Sequence, residues 1–221
     1  MDSVSGVGVI DKGVLILRAL VAGPLDLAGL QDATDLPRAT AHRLAVALEQ
    51  HHLVRRDALG RFCLGFELIR LGHAATEQFP LAEIADPILR ELRDSTGESV
   101  QLYVREHDGR RCVVSLQSVH ALRWIVPEGA LLPLELGSAG RTLTEGLELE
   151  DSVEEREPGV ASVSAAVRDR AGGVVAAVSL SGPIERLTKR PAVVFGDAVS
   201  SAAAALTSAL AATYHGAPPE L

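Results

Sequence analysis

The feature that most constrains this sequence is the run of residues 26–65, where two helical patterns are followed directly by a short β-ribbon. Asp26 occupies an N-cap position, because it directly precedes a short apolar segment with helical spacing. Pro37 follows a break in that pattern and suits the first turn of a second helix, where its missing N–H needs no acceptor. The second helix is predicted to end near His51. Two short strands and the turn between them are predicted at 53–56, 61–64 and 57–60.

This order of elements is that of a winged helix-turn-helix, which inserts its second helix into the major groove of duplex DNA. Apolar residues at helical spacing predict another helix over about 9–21, which completes a core of three helices. Residues 66–78 are again helical and are followed by a Phe-Pro stop, as expected of a linker helix. We therefore predict a winged DNA-binding domain over 1–65, a linker helix over 66–80 and a second domain over 81–215.

The charge distribution supports DNA binding by the first domain, although the whole chain is acidic. A net charge of −8 and a pI near 5.4 argue against non-specific binding to polyanions. Residues 1–65, however, hold seven Lys or Arg and seven Asp or Glu, and residues 36–65 hold five Arg against two acids, a net of +3. This positive charge lies where the second helix and the wing would meet phosphates. The alternative is that these arginines are simply solvated.

Arg43 is the best candidate for a contact with a guanine or a phosphate. At 100° per residue, Arg43 lies opposite the apolar stripe of the second helix. It also lies in the N-terminal half of that helix, which is the half that contacts base edges in such domains. The alternative is an ion pair within the domain, with Glu49 or Asp32. Arg38 and Thr40 suit phosphate contacts, and the wing arginines suit the DNA backbone or the minor groove. The predicted DNA-binding residues are Arg38, Thr40, His42, Arg43, Arg55, Arg56 and Arg61.

The second half of the chain is predicted to be α+β, with mostly antiparallel strands and helices on one face of the sheet. A loop at 136–141 leads into a helix. Strands are predicted at 100–104, 111–118, 122–126, 160–167 and 174–181, and further helices at 81–96 and 191–213.

Two of these strands carry serines that share one face. Ser162 and Ser164 alternate on the first strand, as do Ser179 and Ser181 on the second, so pairing of the strands would bring four hydroxyls together. Small donors on an apolar floor suit a small polar ligand. The turn at 137–140 adds backbone N–H groups before a helix, which suit a carboxylate. The alternative is that small residues merely let a helix pack closely on the sheet.

No pattern in the sequence predicts catalysis, a cofactor or a metal. No Ser or Cys lies in a nucleophile elbow beside a base, and no carboxylate pair stands out. The histidines lack the spacing of metal ligands. Cys63 and Cys112 lie in strand-like runs and are expected to be reduced core thiols of a cytoplasmic protein. No signal peptide is evident, and no apolar run is expected to reach the ~18 residues that span a bilayer, so no membrane partner is predicted.

Several stretches of this sequence closely resemble the IclR family of bacterial transcriptional regulators. These are Leu36 to Leu44, Phe62 to Gly65, Glu155 to Val163 and Ser179 to Pro183. The resemblance covers nearly the whole chain and looks greatest to the actinobacterial branch associated with amino-acid biosynthesis genes, such as those for leucine. It implies a winged helix-turn-helix followed by a GAF-like effector domain, in dimers or tetramers.

The resemblance also implies a small-molecule effector, with a carboxylate or an amino acid suspected. It places the effector pocket at Ser138, Ala139, Ser162, Ser179 and Ser181. The sequence departs from the family pattern between Leu143 and Val153, where the resemblance leads us to expect a longer stretch. Either this chain is shortened there or residues are absent from it. The function predicted is a ligand-responsive regulator of metabolic genes that binds an operator in double-stranded DNA. The alternative is a small-molecule-binding module whose winged domain mediates protein contacts.

Overall fold

The structure is a computed structural model, and it describes residues 7–78, 81–107 and 109–213. The chain divides into two compact units, Met1–Phe79 and Pro80–Leu221, and each is described by itself below.

The first unit is built on three helices. They are α1 (Gly8–Ala19, continued by a 3-10 turn, Leu20–Ala22), α2 (Leu27–Thr34) and α3 (Arg38–Gln50). Asp26 caps α2 as predicted, because its Oδ1 accepts a hydrogen bond from the Gly29 N–H at 2.8 Å. Pro37 lies one position earlier than expected, as the N-cap of α3 in extended geometry. The core of the unit contains Ile16, Leu20, Leu30, Leu36, Ala41, Leu44, Ala45, Val54 and Phe62.

The wing follows α3 as predicted. Strands β1 (Val54–Arg56) and β2 (Phe62–Leu64) pair antiparallel, and Gly60 turns between them with a φ of +76°. A bridge from Leu25 to Phe62 ties the wing to the segment before α2, a pairing that the sequence did not indicate. The unit continues with α4 (Glu67–Gln78), at the position of the predicted linker helix.

The second unit is a six-stranded antiparallel sheet in the order β5-β4-β3-β8-β7-β6. Its strands are β3 (Ser99–Glu106), β4 (Gly109–Leu116), β5 (Leu131–Leu132), β6 (Leu149–Val153), β7 (Val160–Arg168) and β8 (Val174–Pro183). The predicted mostly antiparallel α+β fold is therefore confirmed. The central hairpin of β7 and β8 pairs Ser162 with Ser181 and Ser164 with Ser179.

Helices cover both faces of this sheet, so the expectation of helices on one face is wrong. The long helices α5 (Leu81–Thr96) and α8 (Pro191–Thr213) contact each other and cover one face. The shorter α6 (Ser138–Glu145) lies on the other face, where it contacts β6, β7 and β8. A one-turn helix, α7 (Ile184–Leu187), follows β8 and was not predicted.

The strand predicted at 122–126 is also wrong, because this segment is irregular. Its carbonyl groups accept side-chain donors instead of ladder hydrogen bonds: the Ser99 hydroxyl donates to the Trp124 carbonyl, and the Ser115 hydroxyl donates to the Val126 carbonyl. Pro127 comes next and has no N–H to offer a neighbouring strand. The edge strand beside β4 is instead the two-residue β5.

The last helix contradicts the expectation that no apolar run is long enough for a membrane span. By length and composition α8 could cross a bilayer, with 23 residues and a mean hydropathy of 1.5 in its most apolar window. It nevertheless packs against β7 and α5, and Val199, Ala203 and Leu206 are buried there. Its many alanines explain both properties, since they are apolar, favour helix and allow close packing.

Candidate functional site

The second helix of the first unit exposes the side that the sequence analysis assigned to DNA. The apolar side of α3 is buried, whereas Arg43 is exposed on the opposite side. Within the described residues the Arg43 guanidinium has no ion pair and no hydrogen bond. The alternative of an ion pair with Glu49 is not realised, because Glu49 pairs with Arg56 at an Oε1–Nε distance of 3.3 Å. Arg43 is therefore available to an external partner.

The other predicted contacts on α3 lie in the same first half of the helix. His42 is exposed and Thr40 is half-buried. The exposed Arg38 donates a hydrogen bond from Nη1 to the Gln31 side-chain oxygen at 3.3 Å, which links α3 to α2. The structure thus groups Arg38, Thr40, His42 and Arg43 on one helix, and their contact with DNA stays a prediction.

The three wing arginines all have partners within the wing or beside it. Arg61 pairs with Asp57 at an Nη2–Oδ2 distance of 2.7 Å, and Arg56 pairs with Glu49. The Arg55 guanidinium lies over the Phe66 ring, 5.0 Å from its centroid. These contacts fix the shape of the wing, and contact with DNA by these arginines also stays a prediction.

In the second unit, one face of the sheet carries two rows of mostly polar side chains that run across β3, β8, β7 and β6. The first row is Gln101, Ser179, Ser164 and Glu150, and the second is Ser99, Ser181, Ser162 and Ser152. Strand alternation puts both rows on the face that α6 covers. The predicted convergence of the serine hydroxyls is confirmed.

The serines hydrogen-bond to one another beneath α6. The Ser138 hydroxyl, in the first turn of α6, shares hydrogen bonds of 2.7 Å with Ser162 and 2.8 Å with Ser164. Ser164 in turn donates to Ser179 at 2.9 Å. Two residues further along β8, Ser181 donates to the side-chain oxygen of Gln101 on the neighbouring strand β3, at 2.8 Å. The small residues therefore let α6 pack closely, as the alternative reading proposed, and they also form a buried polar network.

A cavity of about 30 Å³ opens beside this network. All five predicted effector positions line it. Its lining residues are Tyr103, Arg110, Trp124, Gly137, Ser138, Ala139, Ser152, Arg156, Val160, Ser162, Ser179 and Ser181. A cavity that holds a single buried water has a volume of roughly 10–15 Å³. This cavity is two to three times larger, so it suits a ligand with few heavy atoms.

Two arginines of the cavity lie against aromatic rings. The Arg110 guanidinium is 5.4 Å from the centroid of Tyr103, and the Arg156 guanidinium is 5.7 Å from that of Trp124. Arg110 is only 1% exposed, and it donates a short hydrogen bond to the Pro133 carbonyl. Burial, with the nearby positive charge of Arg156 adding to it, lowers the pKa of Arg110 to about 10. Arg110 therefore stays charged at neutral pH.

The N-terminus of α6 borders the same cavity, but one of its N–H groups is already occupied. The Gly137 N–H donates to Glu155 Oε2 at 3.0 Å, and the same carboxylate oxygen accepts from Arg141 Nη1 at 2.7 Å. The N–H groups of Ser138 and Ala139 follow at the first two helical positions, which have no acceptor within their own helix. The turn therefore offers fewer free N–H groups than the sequence analysis expected.

Five lining residues were not predicted from the sequence. They are Tyr103, Arg110, Trp124, Ser152 and Arg156, apart from the glycine and valine that complete the wall. Arg110 carried a usable signal, because the alternation of β4 puts it on the same buried side as Cys112, on the face of the sheet that carries Tyr103. The predicted strand began one residue later and missed it. The position of Arg156 depends on the loop after β6, a strand that the sequence analysis did not anticipate.

Burial shifts the pKa values of two neighbouring groups of the second unit, Cys112 and Tyr103. Burial raises the pKa of the Cys112 thiol to about 12, so the thiol stays protonated. Burial likewise raises the pKa of Tyr103. Both cysteines are free and buried, as expected. Among the described residues, no group of three or more His, Cys, Asp or Glu side chains could hold a metal ion.

Comparison with known families gives two matches that together span most of the chain. The model of the IclR helix-turn-helix domain matches residues 9–58. The model of the bacterial transcriptional regulator IclR C-terminal domain matches residues 73–153 and 151–208.

Individual relatives agree with these matches. The transcriptional repressor IclR of Escherichia coli K12 is 26% identical, over 85% of this chain and 83% of its own length. The HTH-type transcriptional repressor AllR of the same strain is also 26% identical, over 95% of this chain and 93% of its own length. Among solved structures, an IclR homologue from Microbacterium hydrocarbonoxydans complexed with 4-hydroxybenzoate superposes with a TM-score of 0.78 at 18% identity, covering 93% of this chain and all of that one.

The two matched segments of the C-terminal domain meet where the sequence departs from the family. In the structure α6 ends at Glu145 and is followed by its C-cap Gly146, which is left-handed with a φ of +70°. Strand β6 begins at Leu149 and pairs along its whole length with β7. A short turn and an edge strand therefore occupy this junction, and the strand supplies Ser152 to the cavity.

Proposed function

This chain belongs to the IclR family of bacterial transcriptional regulators, and on that basis we propose that a small acidic metabolite controls its binding to an operator. The winged domain binds the operator through α3, and the cavity beside the serine network holds the metabolite. The observation that carries the DNA-binding part is Arg43, which is exposed on the outer side of α3 and has no ion pair with any residue that the structure describes. A guanidinium in this position can pair bidentately with guanine.

The DNA-binding part is tested by replacing Arg43 with Ala. Duplexes selected from a random pool by the unaltered protein serve as the operator. The substitution should weaken binding by about 1–3 kcal/mol if Arg43 contacts a base. The matched control is Arg90→Ala, which removes an exposed helical arginine of the second unit that pairs with Asp86. Unchanged affinity of the Arg43 variant at fixed salt would refute the role of Arg43.

Salt dependence separates this proposal from the alternative in which the winged domain mediates protein contacts. Neutralisation of phosphates by arginines makes the logarithm of the affinity fall linearly with the logarithm of the salt concentration. A protein-contact module would show no such dependence with duplex DNA. Absence of salt-dependent binding to any selected duplex would therefore favour the alternative.

The effector part is supported by the convergence of Ser138, Ala139, Ser162, Ser179 and Ser181 on one cavity. The Microbacterium homologue, complexed with 4-hydroxybenzoate, gives a precedent for a carboxylate ligand in this fold. The cavity here suits a smaller carboxylate or an amino acid. A thermal-shift screen against metabolites should find a stabilising ligand, because a ligand that binds only the folded state raises its stability.

The effector site is tested by Ser179→Leu and Ser181→Leu. Each should abolish the response of DNA binding to the stabilising ligand, because the larger side chain fills the cavity. DNA binding without ligand should remain. Loss of both properties together would show that these serines act in folding and not in ligand binding.

We propose further that the protein is a cytoplasmic homo-oligomer, a dimer or a tetramer, with domains at 1–65, 66–80 and 81–215. Two winged domains related by symmetry would read a palindromic operator with half-sites one or more helical turns apart. The proposed target genes are metabolic, with genes of amino-acid biosynthesis as the specific candidates. Light scattering tests the oligomeric state, and chromatin immunoprecipitation tests the target genes. The proposed function includes no catalytic activity.

A further inference from the structure

Two buried hydrogen-bond donors, one in the wall of the cavity and one behind it, have no acceptor among the described residues. In the part of the chain that the structure describes, two buried side-chain polar atoms lack a hydrogen-bond partner, Arg110 Nε and Gln101 Nε2. Arg110 lines the cavity, and Gln101 accepts the hydroxyl hydrogen of Ser181, which also lines it. Both residues are at most 1% exposed. A buried donor without an acceptor is costly, so these atoms indicate a ligand that is rich in acceptors.

The charge of the cavity points in the same direction. Arg110 and Arg156 are among the described residues that line it, and no Asp or Glu is, although the Glu155 carboxylate accepts the N–H of the lining residue Gly137. The two arginines flank Gly137: a Cβ built on that glycine would lie 3.3 Å from Arg110 Nη2 and 3.2 Å from Arg156 Cδ. Glu135 interacts electrostatically with Arg110 but is not a lining residue. Two positive charges that share one small cavity repel each other, and an anion with two negative charges relieves this repulsion best.

The same features argue against an amino acid. The ammonium group of a zwitterion is stabilised by a carboxylate, whereas the charged groups among the described lining residues are two guanidinium groups; the serine hydroxyls can accept hydrogen bonds but carry no negative charge. An ammonium group beside Arg110 or Arg156 would add a third positive charge to the cavity.

We infer that this cavity selects a short dicarboxylate, with one carboxylate on Arg110 and the other on Arg156. This inference rests on the proposed function of the cavity as the effector site. It narrows the effector from any small carboxylate or amino acid to a dianion without a cationic group. Arginine suits this role because its planar fork matches the geometry of a carboxylate.

A matched series of four-carbon ligands tests the inference. Succinate carries two carboxylates, butyrate carries one, and 4-aminobutyrate carries an ammonium group in place of the second carboxylate. Isothermal titration with the full chain should show succinate binding about tenfold or more tighter than butyrate, and 4-aminobutyrate binding weakest. Malonate and glutarate test neighbouring lengths. Equal or tighter binding of butyrate or 4-aminobutyrate, or no binding of any of the three dicarboxylates, would overturn the inference.

Inorganic sulfate tests the spacing of the two charges. It carries two negative charges on a single centre and cannot place one carboxylate on each arginine. Sulfate should therefore bind more weakly than the best dicarboxylate. Tighter binding of sulfate would overturn the assignment of two separate carboxylates.

Variants of the two arginines complete the test. Arg156→Met is the main variant, since Arg156 is only half-buried and its loss threatens folding less than the loss of Arg110. The Arg156 variant should reduce the preference for succinate over butyrate about tenfold. Arg110→Met should reduce it by a similar factor, provided that circular dichroism shows the variant to be folded. The control is Arg111→Met, which removes the neighbouring arginine of β4 that pairs with Glu106 outside the cavity. An unchanged preference in Arg156→Met, or an equal loss in the control, would contradict the inference.

The inference and the proposed function fail in different ways. If butyrate or 4-aminobutyrate binds best and also changes the affinity for the operator, the cavity is an effector site of another specificity. If succinate binds in the predicted order and the affinity for the operator stays the same, the cavity selects dianions but does not control DNA binding.

Discussion

The buried serine network under α6 allows a quantitative prediction about how the second unit is held together. Ser138 and Ser164 share one hydrogen bond, and each has a second one, to Ser162 and to Ser179 respectively. We consider the single variants Ser138→Ala and Ser164→Ala and the double variant. All remove only hydroxyl groups, so the change in packing is small.

The magnitudes follow from counting hydrogen bonds. At about 1 kcal/mol for each bond, either single variant loses two bonds and about 2 kcal/mol of the free energy of unfolding. The double variant loses three bonds, not four, because the bond between Ser138 and Ser164 is common to both. It should therefore lose about 3 kcal/mol, which leaves a coupling energy of about 1 kcal/mol.

The assay is equilibrium unfolding in urea, followed by tryptophan fluorescence. Trp124 is the only tryptophan of the chain and lies in the second unit, so its emission reports the unfolding of that unit. The midpoints should fall while the slopes stay the same. If the losses of the two single variants add to within roughly 0.3–0.5 kcal/mol, the hydroxyls are not coupled and the hydrogen-bond pattern described above does not contribute as argued.

Two further predictions concern the winged unit. The pKa of Asp57 lies below its ordinary value of 3.8, because its carboxylate accepts hydrogen bonds from the Arg61 side chain and from the backbone N–H groups of Arg61 and Leu59. These hydrogen bonds to the ionised carboxylate stabilise the folded state above pH 3.8, and this stabilisation is lost as the pH falls through the lowered pKa. An NMR titration should show the low pKa, and Arg61→Ala should return it towards 3.8, whereas an unchanged value would contradict the role of Arg61. Leu30→Ala, at a fully buried position, should destabilise the unit by about 2–5 kcal/mol in thermal unfolding followed by circular dichroism, and a loss under 1 kcal/mol would contradict its place in the core.

The sequence was sufficient for elements with a strong periodic pattern. The helices over 81–96 and 191–213 were predicted with the bounds that the structure shows, and the two serine-bearing strands pair so that their serines share one face, as expected. The failures occurred where backbone groups bond to distant side chains. Leu122 to Val126 has the composition of a strand, but side chains of β3 and β4 occupy two of its carbonyl groups.

The candidate site shows the same division. The serines were predicted because alternation along one hairpin brings them together locally. The two cavity arginines were missed because Arg110 and Arg156 come from segments far apart in sequence and meet only when β4 and the loop after β6 are in place. Strand β6 carries two acidic residues, Glu150 and Asp151, and Arg141 forms ion pairs with Glu150 and with Glu155 in the loop that follows.

The carboxylate of Glu155 has a consequence for any anion that enters the cavity. Because this side chain already accepts the Gly137 N–H and is held by Arg141, the start of α6 carries its own tethered counter-ion. An incoming anion gains only the difference between its own contacts and those that the protein already supplies at this helix end. We therefore expect Glu155 to lower the affinity of the cavity for an anion. Weak, rapidly reversible binding is what a sensor needs in order to follow a metabolite whose concentration changes continuously.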